Sequence, residues 1–188
     1  MINDDAQLND WESRWAPYDE ATYEAALQYV NPDDVVLDIG AGDLRFARQA
    51  ADVARQVYAI ERQPALLANQ AGLPANLTVL CGDARSIFWP PGITLGVLLM
   101  RHCTHLSLYA SRLRRLGCRR LITNARWGMD VELMTLGRRA DWQSFELGWY
   151  ACLCGRVGFR SGPPEKLTLV HTWQVAEVET CPDCSVVH

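Results

Sequence analysis

Three carboxylates in this sequence stand where a ligand could use them. Asp38 lies two residues before a pair of glycines, in Asp38-Ile39-Gly40-Ala41-Gly42. Glycine lets the backbone turn sharply and, having no Cβ, lets a ligand lie against the main chain. A helix starting beyond such a loop offers unpaired N–H groups and a partial positive charge. Glu61 follows 23 positions later in Tyr58-Ala59-Ile60-Glu61-Arg62, and Asp83 follows in Cys81-Gly82-Asp83-Ala84. An ionised carboxylate at such a place can accept two or more hydrogen bonds from a ligand. Farther on, Met100-Arg101-His102-Cys103-Thr104-His105 carries two imidazoles, which titrate near neutrality and are candidate bases.

A dinucleotide fingerprint requires G-x-G-x-x-G, with a pyrophosphate on the helix start. Here Gly40 and Gly42 are followed by Leu44 and Arg45, with no third glycine in register. The acid at Asp38 is also a poor neighbour for a pyrophosphate, whereas a ligand bearing an ammonium and a sulfonium tolerates it. Carboxylate-x-Gly-x-Gly therefore favours S-adenosylmethionine over NAD. Over roughly residues 11–125 the chain resembles the class I methyltransferase family, with Leu44 standing at the family's third glycine. The resemblance implies a Rossmann-like fold and a cofactor held by Asp38, Gly40, Ala41, Gly42, Glu61, Arg62, Gly82, Asp83, Ala84 and Met100. In it Glu61 pairs with the ribose and Asp83 accepts from the adenine amino group. Tyr18 falls where many relatives lay a lead-in segment over the cofactor; a plain packing aromatic is the other reading. The acceptor site of the family lies beyond the fourth strand, at His102 and His105, with Asn124 and Trp127 as further candidate lining. The Asn-Pro-Pro-Tyr type of motif is absent from that segment.

The C-terminal third has a different chemistry. Cys152-Leu153-Cys154-Gly155 and Cys181-Pro182-Asp183-Cys184 each present two thiols from a short knuckle. Four thiolates suit tetrahedral zinc in a closed, structural site. A redox pair at Cys181 and Cys184, or unligated cysteines, would be the alternatives. His171 and His188 are weaker candidate ligands.

Elements must bring these residues together. Val35–Ile39 is a short, almost wholly apolar run, as in a strand buried on both faces of a parallel sheet. Strands are expected again at 56–60, 77–80, 94–100 and 119–123. Helices are expected within 11–30 and at 44–54, 63–70 and 106–116. Such alternation predicts a doubly wound, mostly parallel α/β sheet. Beyond Gly128 the reading is 149–153, 157–160 and 167–178 as strands, an antiparallel end to the sheet with an inserted zinc-ribbon-like knuckle. We expect one methyltransferase domain over 1–188, with 149–188 as a C-terminal β segment inside it.

Composition sets the bounds. The chain has 188 residues, 49% hydrophobic and 21% charged, which excludes a disordered or fibrous protein. No apolar run approaches the roughly 20 residues of a membrane span, and the acidic start does not resemble a secretory signal. A cytoplasmic protein with no membrane partner is expected, and seven cysteines argue against a disulfide framework. The net charge of −4 hides an uneven distribution. Residues 93–129 contain no Asp or Glu but hold Arg101, Arg112, Arg114, Arg115, Arg119, Arg120 and Arg126. That segment suits either a solvated helix face or an anionic partner such as RNA. The sequence thus supports a methyltransferase acting on a small molecule or RNA, or a non-catalytic nucleotide-binding or regulatory module on the same fold.

Overall fold

The computed structural model describes residues 16–68, 72–126 and 130–186. The expectations for the first residues of the lead-in, for Trp127 and for His188 lie outside them. The main sheet runs β3-β2-β1-β4-β5-β6. Its strands are β1 (Val35–Ile39), β2 (Gln56–Glu61), β3 (Leu77–Cys81), β4 (Leu95–Leu98), β5 (Arg120–Thr123) and β6 (Glu132–Thr135). The first five are parallel and β6 returns antiparallel against β5. Helices α1 (Glu20–Leu27) and α2 (Arg45–Ala51) cover one face, where Tyr23, Ala26, Phe46 and Ala50 pack with Val36, Val57 and Val97. Helix α3 (Leu106–Arg115) covers the other, where Tyr109 and Leu113 pack with Leu37, Ile60 and Leu121. This is a doubly wound, Rossmann-like α/β sheet.

β1 is buried along its whole length, so its apolar run reads as a central strand. Helix α1 begins at Asp19, whose carboxylate accepts from Thr22 N and Thr22 Oγ1 at 2.8 and 2.7 Å. The two ends of the sheet differ. At the N-terminal ends of the strands, Asp34 accepts from Thr94 Oγ1 and ion-pairs with Arg120, sealing that edge with fixed partners. At the C-terminal ends the chain order reverses between β1 and β4, and a crevice opens there.

Some elements differ from expectation. The 63–70 helix is a 3-10 turn at Pro64–Leu67, and β6 has no clear signal because only Met134 is buried along it. Residues 167–178 are not one strand. Thr168 caps a five-residue helix, α4 (Leu169–Trp173), with His171 Nδ1 accepting from Thr168 N, and only then does β9 (Val175–Val178) begin. β9 pairs parallel with β7 (Gly148–Cys152), which pairs antiparallel with β8 (Val157–Arg160). The C-terminal strands thus form their own sheet, β8-β7-β9, rather than the edge of the main one. Bulk apolar pattern cannot separate these cases, because which strand edge receives a segment is decided by tertiary pairing.

Side chains tie the second sheet to the first. Arg126, just beyond β5, donates to Glu132 and to Glu177 of β9; Arg139 also donates to Glu177. Leu153 joins the α3 core, and a Cβ on Gly155 would stand 3.3 Å from Leu106 Cδ2. The cysteine knuckle therefore rests on the first turn of α3.

Candidate active site and candidate metal centre

The glycine loop is held by β2. Gly40 N and Ala41 N both donate to Ile60 O at 2.9 Å. Gly40 and Gly42 have φ of +74° and +56°, which glycine adopts without strain. Leu44, the residue at the family's third glycine, also lies in the left-handed region, with φ +67°. That conformation costs a leucine about 1–2 kcal/mol. Its side chain is 2% exposed in the α1–α2 core, and such burial contributes about 1.5–3 kcal/mol. Burial outweighs strain, so the departure from glycine is compatible with the same loop.

Asp38, Glu61 and Asp83 end on one cleft of about 180 Å³ at the C-terminal ends of β1, β2 and β3. Gly40, Ala41, Arg62, Gly82, Ala84, Met100 and Tyr18 line it as well. Gly42 does not; its N–H donates to Glu61 Oε2 at 2.9 Å from behind. Glu61 Oε1 accepts from Gln63 N at 2.7 Å, so each oxygen of this buried carboxylate holds one backbone amide and keeps a lone pair. Asp38 is 3% exposed and its Oδ2 has no hydrogen-bond partner. Burial, reinforced by the nearby Glu61 charge, pushes its carboxyl up to about 7. A buried orphan oxygen is costly and calls for a donor.

Asp83 is held differently. Arg85 Nε and Nη2 reach its carboxylate at 3.0 and 2.6 Å, and these bonds bring it down to about 2. Arg85 Nη1 is 3.2 Å from His105 Nε2, and Thr104 Oγ1 is 2.8 Å from His105 Nδ1. His105 stacks on Tyr109, which reaches the cleft. Neither His105 nor the exposed His102 lines the cleft itself. Tyr18 crosses the mouth: its hydroxyl accepts from Arg101 N at 3.1 Å, and the Arg101 guanidinium lies 4.9 Å from its ring centroid. A Cβ on Gly40 would meet only the flexible end of Met100, Cε at 2.9 Å, so it is the φ of +74° that favours glycine at this wall.

Tyr23, Phe46, Gln63, Arg85, Leu99 and Tyr109 also line the cleft and are not among the residues expected from sequence. Tyr109 and Phe46 sit at helical positions that read as core, and only the fold brings them to the cavity. Asn124 is fully buried beyond β5 with both amide atoms unpartnered, and it does not line the cleft.

The four knuckle cysteines converge. All four Sγ atoms lie within 4.8 Å of one another. Cys152 and Cys184 are 3.4 Å apart, Cys154 and Cys181 3.8 Å, and Cys181 and Cys184 3.8 Å. Four thiolates around zinc at 2.3 Å would span edges of about 3.8 Å. Gly155, with φ +96°, turns the first knuckle, and Cys184 N donates to Cys181 O at 3.0 Å across the second. Burial pushes the Cys152 and Cys181 thiols up, the latter to about 11. His171 is spent on the α4 cap and is not in this cluster.

Much of the arginine segment turns inward. Arg112 donates to main-chain carbonyls of 84–87, Arg114 pairs with Glu179, Arg120 with Asp34, and Arg126 with Glu132 and Glu177. Arg101, Arg115 and Arg119 are exposed. Among the described residues no helix is long and apolar enough to cross a membrane.

No family model and no curated protein matches the chain. Solved structures with a similar arrangement include a dimethyladenosine transferase from Plasmodium falciparum, at 17% identity over 56% of this chain and 41% of that one, with a TM-score of 0.47. The 23S rRNA methyltransferase ErmE is 23% identical over 58% of this chain and 47% of that one, TM-score 0.48. An RNA methyltransferase from Salinibacter ruber, solved with S-adenosyl-L-homocysteine, is 21% identical over 57% of this chain and 76% of that one, TM-score 0.44. The match to ErmE spans about half of that protein's length.

Proposed function

We propose that this chain is an S-adenosylmethionine-dependent methyltransferase. The observation that carries the reading is the convergence of Asp38, Glu61 and Asp83 on one cleft beside the Gly40-Ala41-Gly42 turn. When bound, the cofactor supplies a methyl group on an electrophilic sulfonium. Asp38 would receive the ammonium of the amino-acid portion at its orphan Oδ2. Glu61 would accept the ribose hydroxyls on its remaining lone pairs. Asp83, fixed by Arg85, would face the adenine beside Gly82 and Ala84, and Arg62 and Met100 would complete the walls. Tyr18 and Arg101 would close the mouth and exclude water. Two buried carboxylates beside the turn are unfavourable for a pyrophosphate, which argues against a dinucleotide.

Acceptor deprotonation, where needed, would fall to His105 or His102. His105 is the better placed, because Arg85 links it to the cleft wall. The acceptor is a small molecule or RNA, and an RNA reading would rest on the outward arginines Arg101, Arg115 and Arg119. The cysteine cluster would hold one zinc ion through Cys152, Cys154, Cys181 and Cys184; with four protein ligands it has no open position, so its role is in folding.

Calorimetric titration with S-adenosylhomocysteine tests the central claim. One molecule per chain is expected to bind. Absence of binding by protein with intact secondary structure would overturn the methyltransferase reading and leave the non-catalytic module. Retention on heparin that falls with salt would favour an RNA acceptor.

A further inference from the structure

The β3–β4 connection, residues 82–94, supplies one wall of the cleft, yet it contains no helix. Ser86 N and Ile87 N fold back on Asp83 O at 2.9 and 3.0 Å, and Trp89 Nε1 donates to Ala84 O at 3.0 Å. These bonds curl the loop without attaching it to the rest of the protein. Gly82 N donates to Glu61 O and Thr94 N to Val35 O at its two ends, and Trp89 and Ile93 are buried in the α3-side core; between Gly82 and Trp89 the main chain is gathered by one side chain of α3. Arg112 Nη1 donates to Ala84 O and, at 2.9 Å, to Arg85 O; Nη2 donates to Ile87 O at 2.9 Å. The same guanidinium lies 4.1 Å from the Trp89 ring centroid. A planar fork that binds three carbonyls and a ring face at once is a task for arginine that lysine cannot reproduce.

The position on the helix matters. Tyr109 is one turn before Arg112, on the same face. Tyr109 reaches the cleft and packs near Trp89, with ring centroids 6.1 Å apart. Leu113, beside it, is fully buried against the sheet. Helix α3 is therefore fixed to the core through one side and fixes the loop through the other. The carbonyls that Arg112 collects belong to Ala84, Arg85 and Ile87. Ala84 and Arg85 line the cleft, Arg85 aligns Asp83, and the Ile87 side chain lies where a Cβ on Gly82 would intrude, at 2.6 Å.

We propose that Arg112 is a positioning residue for the nucleoside end of the cleft: it orients residues 82–87 toward the ligand without touching the ligand itself. The inference rests on the cleft being a nucleoside site. It also explains one arginine of the acid-free segment without invoking an anionic partner.

The test compares Arg112→Ala, Arg112→Lys and, as a control on the same helix, the exposed Arg115→Ala. Each is titrated with S-adenosylhomocysteine and with adenosine, and amide hydrogen exchange is measured on ligand-free protein. The expected result is a loss of roughly tenfold or more in affinity for both ligands in Arg112→Ala, incomplete recovery in Arg112→Lys and none of this in Arg115→Ala. Exchange should rise at residues 84–89 while α3 and β4 keep their protection. Wild-type affinity in Arg112→Ala, full recovery by lysine, or exchange rising equally along α3 would overturn the proposal. If the wild-type chain binds neither ligand, the cleft reading fails, and the exchange pattern still decides whether Arg112 fastens the loop.

Discussion

At the cleft, three carboxylates are kept apart by the ends of three parallel strands, each with its own environment. Glu61 is satisfied by two backbone amides, Asp83 by a guanidinium, and Asp38 keeps an orphan oxygen. At the cysteine cluster, four sulfurs lie within 4.8 Å, brought together by two knuckles and a small sheet. The first region is built on a double-sided apolar core that needs no ligand to exist. In the second, Cys152, Val178 and Cys181 form a small buried cluster with a few partly covered aromatics, and Ala151 of β7 and the preceding Leu147 are buried as well. A core that small must be completed by a bound ion or by its neighbours. On the proposed zinc reading, rigidity would come from the scaffold in one place and from the ion in the other.

The largest expected effect falls on the cysteine cluster. Measured zinc should be one ion per chain, and Cys181→Ser or strong chelation should release it and raise hydrogen exchange throughout β7–β9. Protection in β1–β5 should change far less. Full thermal stability without any metal would break the contrast. Next is the joint between the two sheets. Arg126 and Arg139 have side chains 1% and 0% exposed, and Glu177 serves both. Replacing Glu177 by Gln leaves two buried guanidiniums short of compensation, a loss of about 3 kcal/mol by analogy with broken buried pairs. Denaturant unfolding of the variant measures it, and a change under about 0.5 kcal/mol, the scale of ordinary surface substitutions, would mean that the joint carries little.

A smaller effect is expected at Asp38. Asp38→Asn removes the charge while keeping the shape, and should weaken S-adenosylhomocysteine by roughly 10- to 100-fold, the range for a charge-assisted bond. Adenosine, which has no ammonium, should bind the variant nearly as well as wild type. Equal losses for both ligands would place the carboxylate elsewhere along the nucleoside.

The smallest effect is a pH dependence. In the folded, ligand-free chain Asp38 titrates near 7, above its ordinary range, so between about pH 4 and 7 the native state holds a proton that the unfolded chain has released. Stability from this group is present below that window and is lost as pH rises through it. Binding of an ammonium requires the ionised carboxylate, so affinity for S-adenosylhomocysteine should rise from pH 6 to roughly 7.5, and Asp38→Asn should flatten the curve. A wild-type profile that falls with rising pH would contradict the pairing.

What was legible in the sequence was whatever local pattern enforces. The apolar run at Val35–Ile39 admits one reading, because a strand covered on both faces has no polar side. The glycines at 40 and 42 and the acids at 38, 61 and 83 sit at strand ends, and parallel strands must bring those ends to one edge. The paired knuckles at 152–154 and 181–184 announced their convergence through spacing and thiol chemistry. The tertiary structure decided the rest, because it depends on contacts between residues far apart in the chain. Arg85 carries no signal in sequence and Arg112 reads only as one of the arginine-rich run, and the docking of α3 on the β3–β4 loop gives them a task. His102 and His105 looked equivalent, and the fold left one exposed while tying the other to Arg85. The C-terminal strands could have extended the main sheet; the β5 edge was taken by β6 instead, so they paired among themselves and rest on α3 through the cysteine knuckle. Local pattern marked the buried strands of the main sheet and the turns after them, but the segments at 63–70, 132–135 and 167–178 and the choice of which edges meet were settled by competition for burial among the whole set.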